Sequence, residues 1–176
     1  DGCAVWSWKG APRFLDPARE KKLLDAGQLE NEDLRFQLRD VESGETIVIH
    51  RASVAWNALR ERWILIGEQI GGRSLLGEIW YAEADRPVGP WVWARKIITH
   101  DKYSFYNPKQ HPMFDKHDGR EIFFECTYTN TFSGNSDATP RYNYNQIMYK
   151  LDLSDPKLSS TYARPAPTSP SAGTSD

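Results

Sequence analysis

Cysteine is scarce in this 176-residue chain, which has only Cys3 and Cys126. Two cysteines exclude a disulfide framework, leave one long-range bridge open, and assign no redox compartment. Long apolar runs are missing as well. Trp63 to Ile66 is among the longest, far below the roughly 20 residues that a membrane-spanning helix needs. No sign of charge dominates: 22 Lys and Arg stand against 24 Asp and Glu, a formal net charge of -2, with no basic block. An electrostatic nucleic-acid binder does not look like this, and neither nucleic acid nor membrane is expected as a partner. The chain opens at Asp1 without an initiator Met or a signal-peptide pattern; it is expected to be processed or cut from something longer.

What is abundant is aromatic. The chain has 7 Trp, 8 Tyr and 7 Phe, in a composition 39% hydrophobic and 26% charged. Such a composition fits one globular core and neither a fibre nor a disordered chain. Rings of this kind suit half-buried strands and also the stacking faces of a carbohydrate site. An all-β protein is expected.

One helix is expected near the N-terminus, with Asp16 as N-cap, Pro17 in first position, Leu23 and Leu24 as apolar stripe and Gly27 as terminator. A hairpin should follow, in which Leu34, Phe36 and Leu38 alternate, a turn falls at Glu42 to Glu45 around Gly44, and Ile47 and Ile49 return. Residues 1–45 thus read as a lead-in, and strands separated by Gly, Pro, Asn and Asp continue to about residue 153. From Ser159 to Asp176 the chain is rich in Pro, Ser, Thr and Ala, and a disordered tail is expected there.

An internal repeat organises the middle. VAWNALRERWILIG (Val54 to Gly67) lies over PMFDKHDGREIFFE (Pro112 to Glu125) at a shift of 58, pairing Trp56 with Phe114, Asn57 with Asp115, Arg62 with Arg120 and Ile66 with Phe124. Both copies read as strand, polar turn, strand. A third strand follows each, Ile79 and Tyr81 matching Ile147 and Tyr149 at a shift of 68, so the second copy carries the longer loop, Thr127 to Asn145. Each unit is a small antiparallel meander with a Pro beyond its third strand, the pattern of propeller blades.

The segments RASVAWNALRERWILIG, GEIWYAEADRPVGPW and QHPMFDKHDGREIFFECTY resemble the last blades of five-bladed β-propeller glycosidases of the arabinanase and β-xylosidase type and their uncharacterised bacterial relatives. The resemblance covers about residues 46–158 and implies a partial β-propeller of two three- or four-stranded blades, preceded by a short helix. It implies a carbohydrate partner, a secreted or periplasmic setting, and catalytic carboxylates in N-terminal blades that this chain lacks. In that family the last blades supply an arginine and a histidine to a central channel, the histidine often beside a metal ion such as calcium. Arg51 in HRAS and His111 in KQHP match by position, with Gln110 next to His111.

Other readings stay open beside these. At a shift of 58, His111 stands opposite Ser53 on an inner strand; it faces the channel, and holds the metal, or it is hydrogen-bonded within its own sheet. Arg51 clamps a carboxylate or ends in a surface salt bridge. Glu125, after Phe123 and Phe124, is either desolvated toward general-acid use or solvated by strand alternation. Glu83 and Asp85 are expected in solvent, on a third strand away from the channel. The spacings of His100, His111 and His117 match no zinc motif, and Gly71-Gly72-Arg73-Ser74 reads as a turn rather than a phosphate loop. Tyr128 and Tyr142, with Phe132 and Tyr144, sit among amides and hydroxyls in the long loop, a mixture suited to a sugar or to pinning the loop. The expected function is therefore binding or hydrolysis of polysaccharide as the C-terminal part of a glycosidase-like propeller. A non-catalytic carbohydrate-binding β-domain and a purely structural β-domain are the alternatives.

Overall fold

A computed structural model describes residues 16–29, 38–73 and 75–163. The expected first hairpin strand at Leu34 and Phe36, Cys3, Ser74 and the tail beyond Ala163 lie outside the described residues. Helix α1 (Pro17–Asp25) forms where its caps dictate. Asp16 Oδ1 accepts from Arg19 N at 2.8 Å, and Gly27, at φ +63°, closes the last turn by donating to Leu24 O. The chain then makes a tight turn. Gly44 N donates to Asp40 O and Ile47 N to Leu38 O, with Gly44 at φ +75°. Leu38 and Ile47 are buried, so the turn expected around Gly44 is present, although strand β1 (Arg39–Asp40) pairs in parallel with a distant strand.

Among the described residues eight strands build two sheets, and the structure is mostly β. The first sheet has the order β1-β5-β4-β3-β2, in which β2 (Ile49–Asn57), β3 (Arg62–Gln69), β4 (Glu78–Ala84) and β5 (Trp93–Thr99) form a continuous antiparallel meander. The second sheet is the meander β6 (Ser104–Gln110), β7 (Glu121–Thr129) and β8 (Asn145–Asp152). Their ladders correspond residue for residue. Ile66 faces Tyr81 and Glu68 faces Ile79 in the first; Phe124 faces Tyr149 and Cys126 faces Ile147 in the second. The shifts of 58 and 68 are therefore also the shifts between the second and third strands of the two meanders.

The first strands differ from expectation by one residue. Ser53 pairs with Ile66 while Gln110 pairs with Phe124, and Ile49 pairs with Gln69 while Tyr106 pairs with Thr127. Their shift is thus 57, and Gln110 rather than His111 is the counterpart of Ser53. Both strands lose register at the same place, between Ile49 and Arg51 in β2 and between Tyr106 and Lys109 in β6. A bulge at Pro108 makes sense, because proline cannot donate to a ladder. Pro112–Phe114, expected as the end of a strand, is a turn of 3-10 helix, with Pro at its start. Trp56 and Phe114, matched as blade core, are 48% and 52% exposed.

The sheets pack face to face, with β6 against β2 and β3. Strand alternation supplies the core between them: Ile64, Ile66, Ile79 and Tyr81 from one side meet Phe105, Ile122, Phe124 and Cys126 from the other. Each fully buried Phe or Ile contributes about 1.5–3 kcal/mol of apolar burial. Polar ties set the alignment. Gln110 Nε2 donates to Ser53 O and Ile64 O, both at 3.0 Å, and Asn57 Nδ2 donates to Gly119 O at 2.7 Å. Gly119, at φ +89°, has no side-chain space, since a Cβ there would come within 2.9 Å of that amide. On its other face the first sheet buries Leu65, Trp80, Ala82 and Ala94 under Leu38, Ile47 and Trp91. Order extends past the expected start of the tail. Helix α2 (Ser160–Ala163) packs on β4 and β5, with Leu158 and Thr161 buried and the Tyr162 ring 3.9 Å from the Arg62 guanidinium. Among the described residues, no helix is long and apolar enough to cross a membrane.

Candidate functional site

The two bulges converge on a buried carboxylate. Ile64, Ile66 and Glu68 share one face of β3, so the alternation that builds the core also carries Glu68 into it, where it is fully buried. Its Oε1 lies 2.9 Å from His50 Nδ1, in the β2 bulge, and its Oε2 accepts from Asn107 N at 3.1 Å, in the β6 bulge. Asn107 takes φ +53°, a left-handed conformation that Asn tolerates better than most residues. Burial raises the Glu68 pKa above its ordinary value, and the His50 hydrogen bond and the nearby Arg51 only partly offset this. When Glu68 is ionised it holds the Nδ1–H of His50, so the neutral ring presents its other nitrogen as an acceptor.

Around this pair lie groups that recognise polar rings. Arg51 is exposed, with its guanidinium carbon 5.9 Å from the centroid of Tyr106. Tyr106 also lies 6.2 Å from the His50 ring and 4.9 Å from Phe132 of the long loop. A cation, an imidazole acceptor and two half-buried aromatic faces therefore meet at the bulges of β2 and β6. Glu68 itself is enclosed. It positions His50 and Asn107 and does not reach a ligand.

The structure distributes the residues expected from the sequence over several places. Arg51 belongs to the bulge cluster. Gln110 joins the sheets and is buried. His111 and Glu125 approach each other on the far face of the second sheet, with Nε2 to Oε1 at 3.3 Å but without hydrogen-bond alignment. Phe114 lies 5.7 Å from the His111 ring. Among the described residues, no three His, Cys, Asp or Glu side chains gather as a metal site, at His111 or elsewhere. Tyr128 packs among Tyr103, Phe105 and His100 and lines a cavity at whose rim Tyr142 is 72% exposed. The long loop is pinned mainly by amides and hydroxyls: Asn145 Nδ2 donates to Thr139 Oγ1 and Tyr142 O, and Thr129 Oγ1 donates to Asn143 Oδ1.

Glu83 requires a correction. It was expected in solvent but is buried, accepting from Arg60 Nη2 at 2.6 Å, Arg60 Nε at 3.1 Å and Tyr81 Oη at 2.6 Å. Burial and the adjacent carboxylate raise the Tyr81 pKa and keep the phenol protonated as a donor. The physical reason is that α2 and β5 cover β4, a consequence of contacts far away in sequence. Asp85, by contrast, is exposed. Glu68, His50, Tyr106 and Asn107 are not singled out by the sequence; of these only Glu68 carries a signal, its shared parity with Ile64 and Ile66. Cys126 is a free thiol in the core, its pKa pushed up by burial.

No protein-family model, curated protein or solved structure matches this chain.

Proposed function

We propose that the two meanders are neighbouring blades of a β-propeller of the glycosidase type and that their bulged inner-strand ends bind a polysaccharide. The observation that carries this reading is the meeting of His50, Arg51 and Tyr106 over the buried Glu68, where both inner strands bulge at equivalent positions. Bulges re-aim side chains beside functional sites. A pyranose or furanose ring offers an apolar face for Tyr106 and Phe132, and hydroxyls for Arg51 and His50. Because Glu68 is enclosed, the cluster recognises sugar rather than cleaving a glycosidic bond, which requires two carboxyl groups flanking that bond.

Isothermal titration and NMR of the labelled chain with arabino- and xylo-oligosaccharides test this. Binding is expected to perturb the His50, Arg51 and Tyr106 resonances, and Tyr106→Ala to weaken affinity by roughly tenfold, the effect of one aromatic stacking contact. Oligosaccharides that leave those resonances unmoved, or that bind Tyr106→Ala as well as the parent, sink the reading.

A further inference from the structure

The cavity at the long loop of the second meander has a volume of about 620 Å³ and is walled in part by Tyr128, Arg141, Tyr142, Tyr144 and Gln146. We propose that it is a subsite for an acidic sugar, one bearing a carboxylate, distinct from the bulge cluster; the choice of a sugar rests on the carbohydrate reading above.

Beside the apolar Pro140 and Ile147, the lining offers hydrogen-bond donors. Arg141 is exposed and makes no ion pair among the described residues, and no Asp or Glu stands in the wall. Thr127 Oγ1 donates to Gln146 Oε1 at 2.9 Å, which leaves the Gln146 amide NH2 as its donor. Tyr128 is made a donor by a relay. Lys102 N and Tyr103 N both donate to His100 Nδ1, at 3.0 and 3.2 Å, so the proton of the neutral ring resides on Nε2. That nitrogen is 3.3 Å from Tyr128 Oη and donates to it, leaving the phenol with its own O–H to give. Burial and the neighbouring Tyr103 raise the Tyr128 pKa, so the phenol stays protonated.

Three donors of this kind, one of them a guanidinium, select a ligand rich in acceptors and carrying negative charge. Two rings supply the stacking faces. Tyr142 and Tyr144 are 72% and 52% exposed, and the backbone presents them at a cost: Arg141 and Tyr144 take φ +71° and +74°, where non-glycine residues are uncommon. Such strain persists where surrounding structure over-determines it. Here Asn145 and Thr139 hold the turn through the Tyr142 carbonyl.

The test is a titration of the full chain with a galacturonate disaccharide and, separately, with a neutral xylo-oligosaccharide. The uronate is expected to move the Tyr128, Arg141 and Gln146 resonances. Arg141→Asn, a residue that accepts left-handed backbone, should weaken uronate binding by roughly ten- to a hundredfold, the effect of one charge-assisted hydrogen bond. Tyr128→Phe should weaken it about three- to tenfold. Tyr106→Ala should leave uronate binding at this cavity unchanged, which separates its failure from failure of the bulge cluster. The proposal is overturned if the uronate moves only the bulge-cluster resonances or none, or if Arg141→Asn binds it as tightly as the parent.

Discussion

Strand β4 is buried at all seven of its positions, whereas its counterpart β8 alternates between half-buried and exposed over its first six. The two occupy the same place in the same ladder, opposite Ile66 and Glu68 in one case and Phe124 and Cys126 in the other. Their neighbours differ. β4 lies between β3 and β5, with the second sheet on one face and Leu38, Ile47 and Trp91 on the other. β8 is an edge strand. Of the two sheets, among the described residues, only the doubly covered one carries buried carboxylates: Glu68, Glu78 and Glu83, whose counterparts at the repeat shifts are Cys126, Gln146 and Leu151. Each buried acid has its partner within reach, His50, Lys96 and Arg60 respectively. Local pairing therefore sets register, and distant packing decides which charged side chains must be compensated.

The largest expected effect breaks that contrast directly. Glu83→Leu gives β4 the residue found at the matching place in β8, and should destabilise the fold by about 3–5 kcal/mol in urea denaturation by stranding the Arg60 guanidinium. Replacing Arg60 by Met as well should recover most of the loss. A single-variant cost below about 1 kcal/mol would mean that the half-buried Arg60 guanidinium swings fully into solvent and that the two strands differ less than their burial implies.

Next comes the tie between the sheets. Asn57→Ala removes the bond to Gly119 O and the acceptor for Arg60 N. A loss of about 1–3 kcal/mol is expected, accompanied by faster hydrogen exchange in β6 to β8 than in β3 to β5. Uniform acceleration through both sheets would show that they open as one unit.

The pH dependence of stability isolates Glu68 from its neutral counterpart Cys126. Its folded pKa is raised, so between the ordinary glutamate value and that raised value the native state holds the proton more tightly than the unfolded chain does. Stability then falls as pH rises through the window and is level above it. Glu68→Gln should flatten this segment of the profile, and an unchanged slope would assign it to another group. The smallest effect belongs to Trp56→Ala. Half exposed and in edge-to-face contact with Trp63 at 5.7 Å, Trp56 should cost less than about 1 kcal/mol. A loss of several kcal/mol would restore it to the core that its match with Phe114 had promised.

Much of this architecture can be read along the chain. Asp16, Pro17 and Gly27 delimit α1, and the shifts between β3 and β7 and between β4 and β8 follow from side-chain pattern alone. The first strands could not be aligned correctly, because the connection from β6 to β7, which holds the 3-10 turn Pro112–Phe114, is one residue longer than that from β2 to β3, and a gapless match passes over the difference. Pro108 marked one bulge, and nothing comparable marked the other at His50. Past Ser159, helix α2 is held by the buried Leu158 and Thr161 and by Tyr162 against Arg62 of β3, contacts that composition does not reveal. Of the bulge cluster, Arg51 was legible by position and Glu68 by parity with Ile64 and Ile66, but their meeting with Tyr106 and Asn107 joins residues from separate sheets.

By itself, then, the sequence determined where strands and turns fall and which side chains share a face, because alternation and turn chemistry act over a few residues. The tertiary structure alone decided which faces are covered, which acids are buried with partners, and which loop tyrosines reach solvent. Those outcomes depend on surfaces contributed by residues tens of positions apart, and no local rule carries that information.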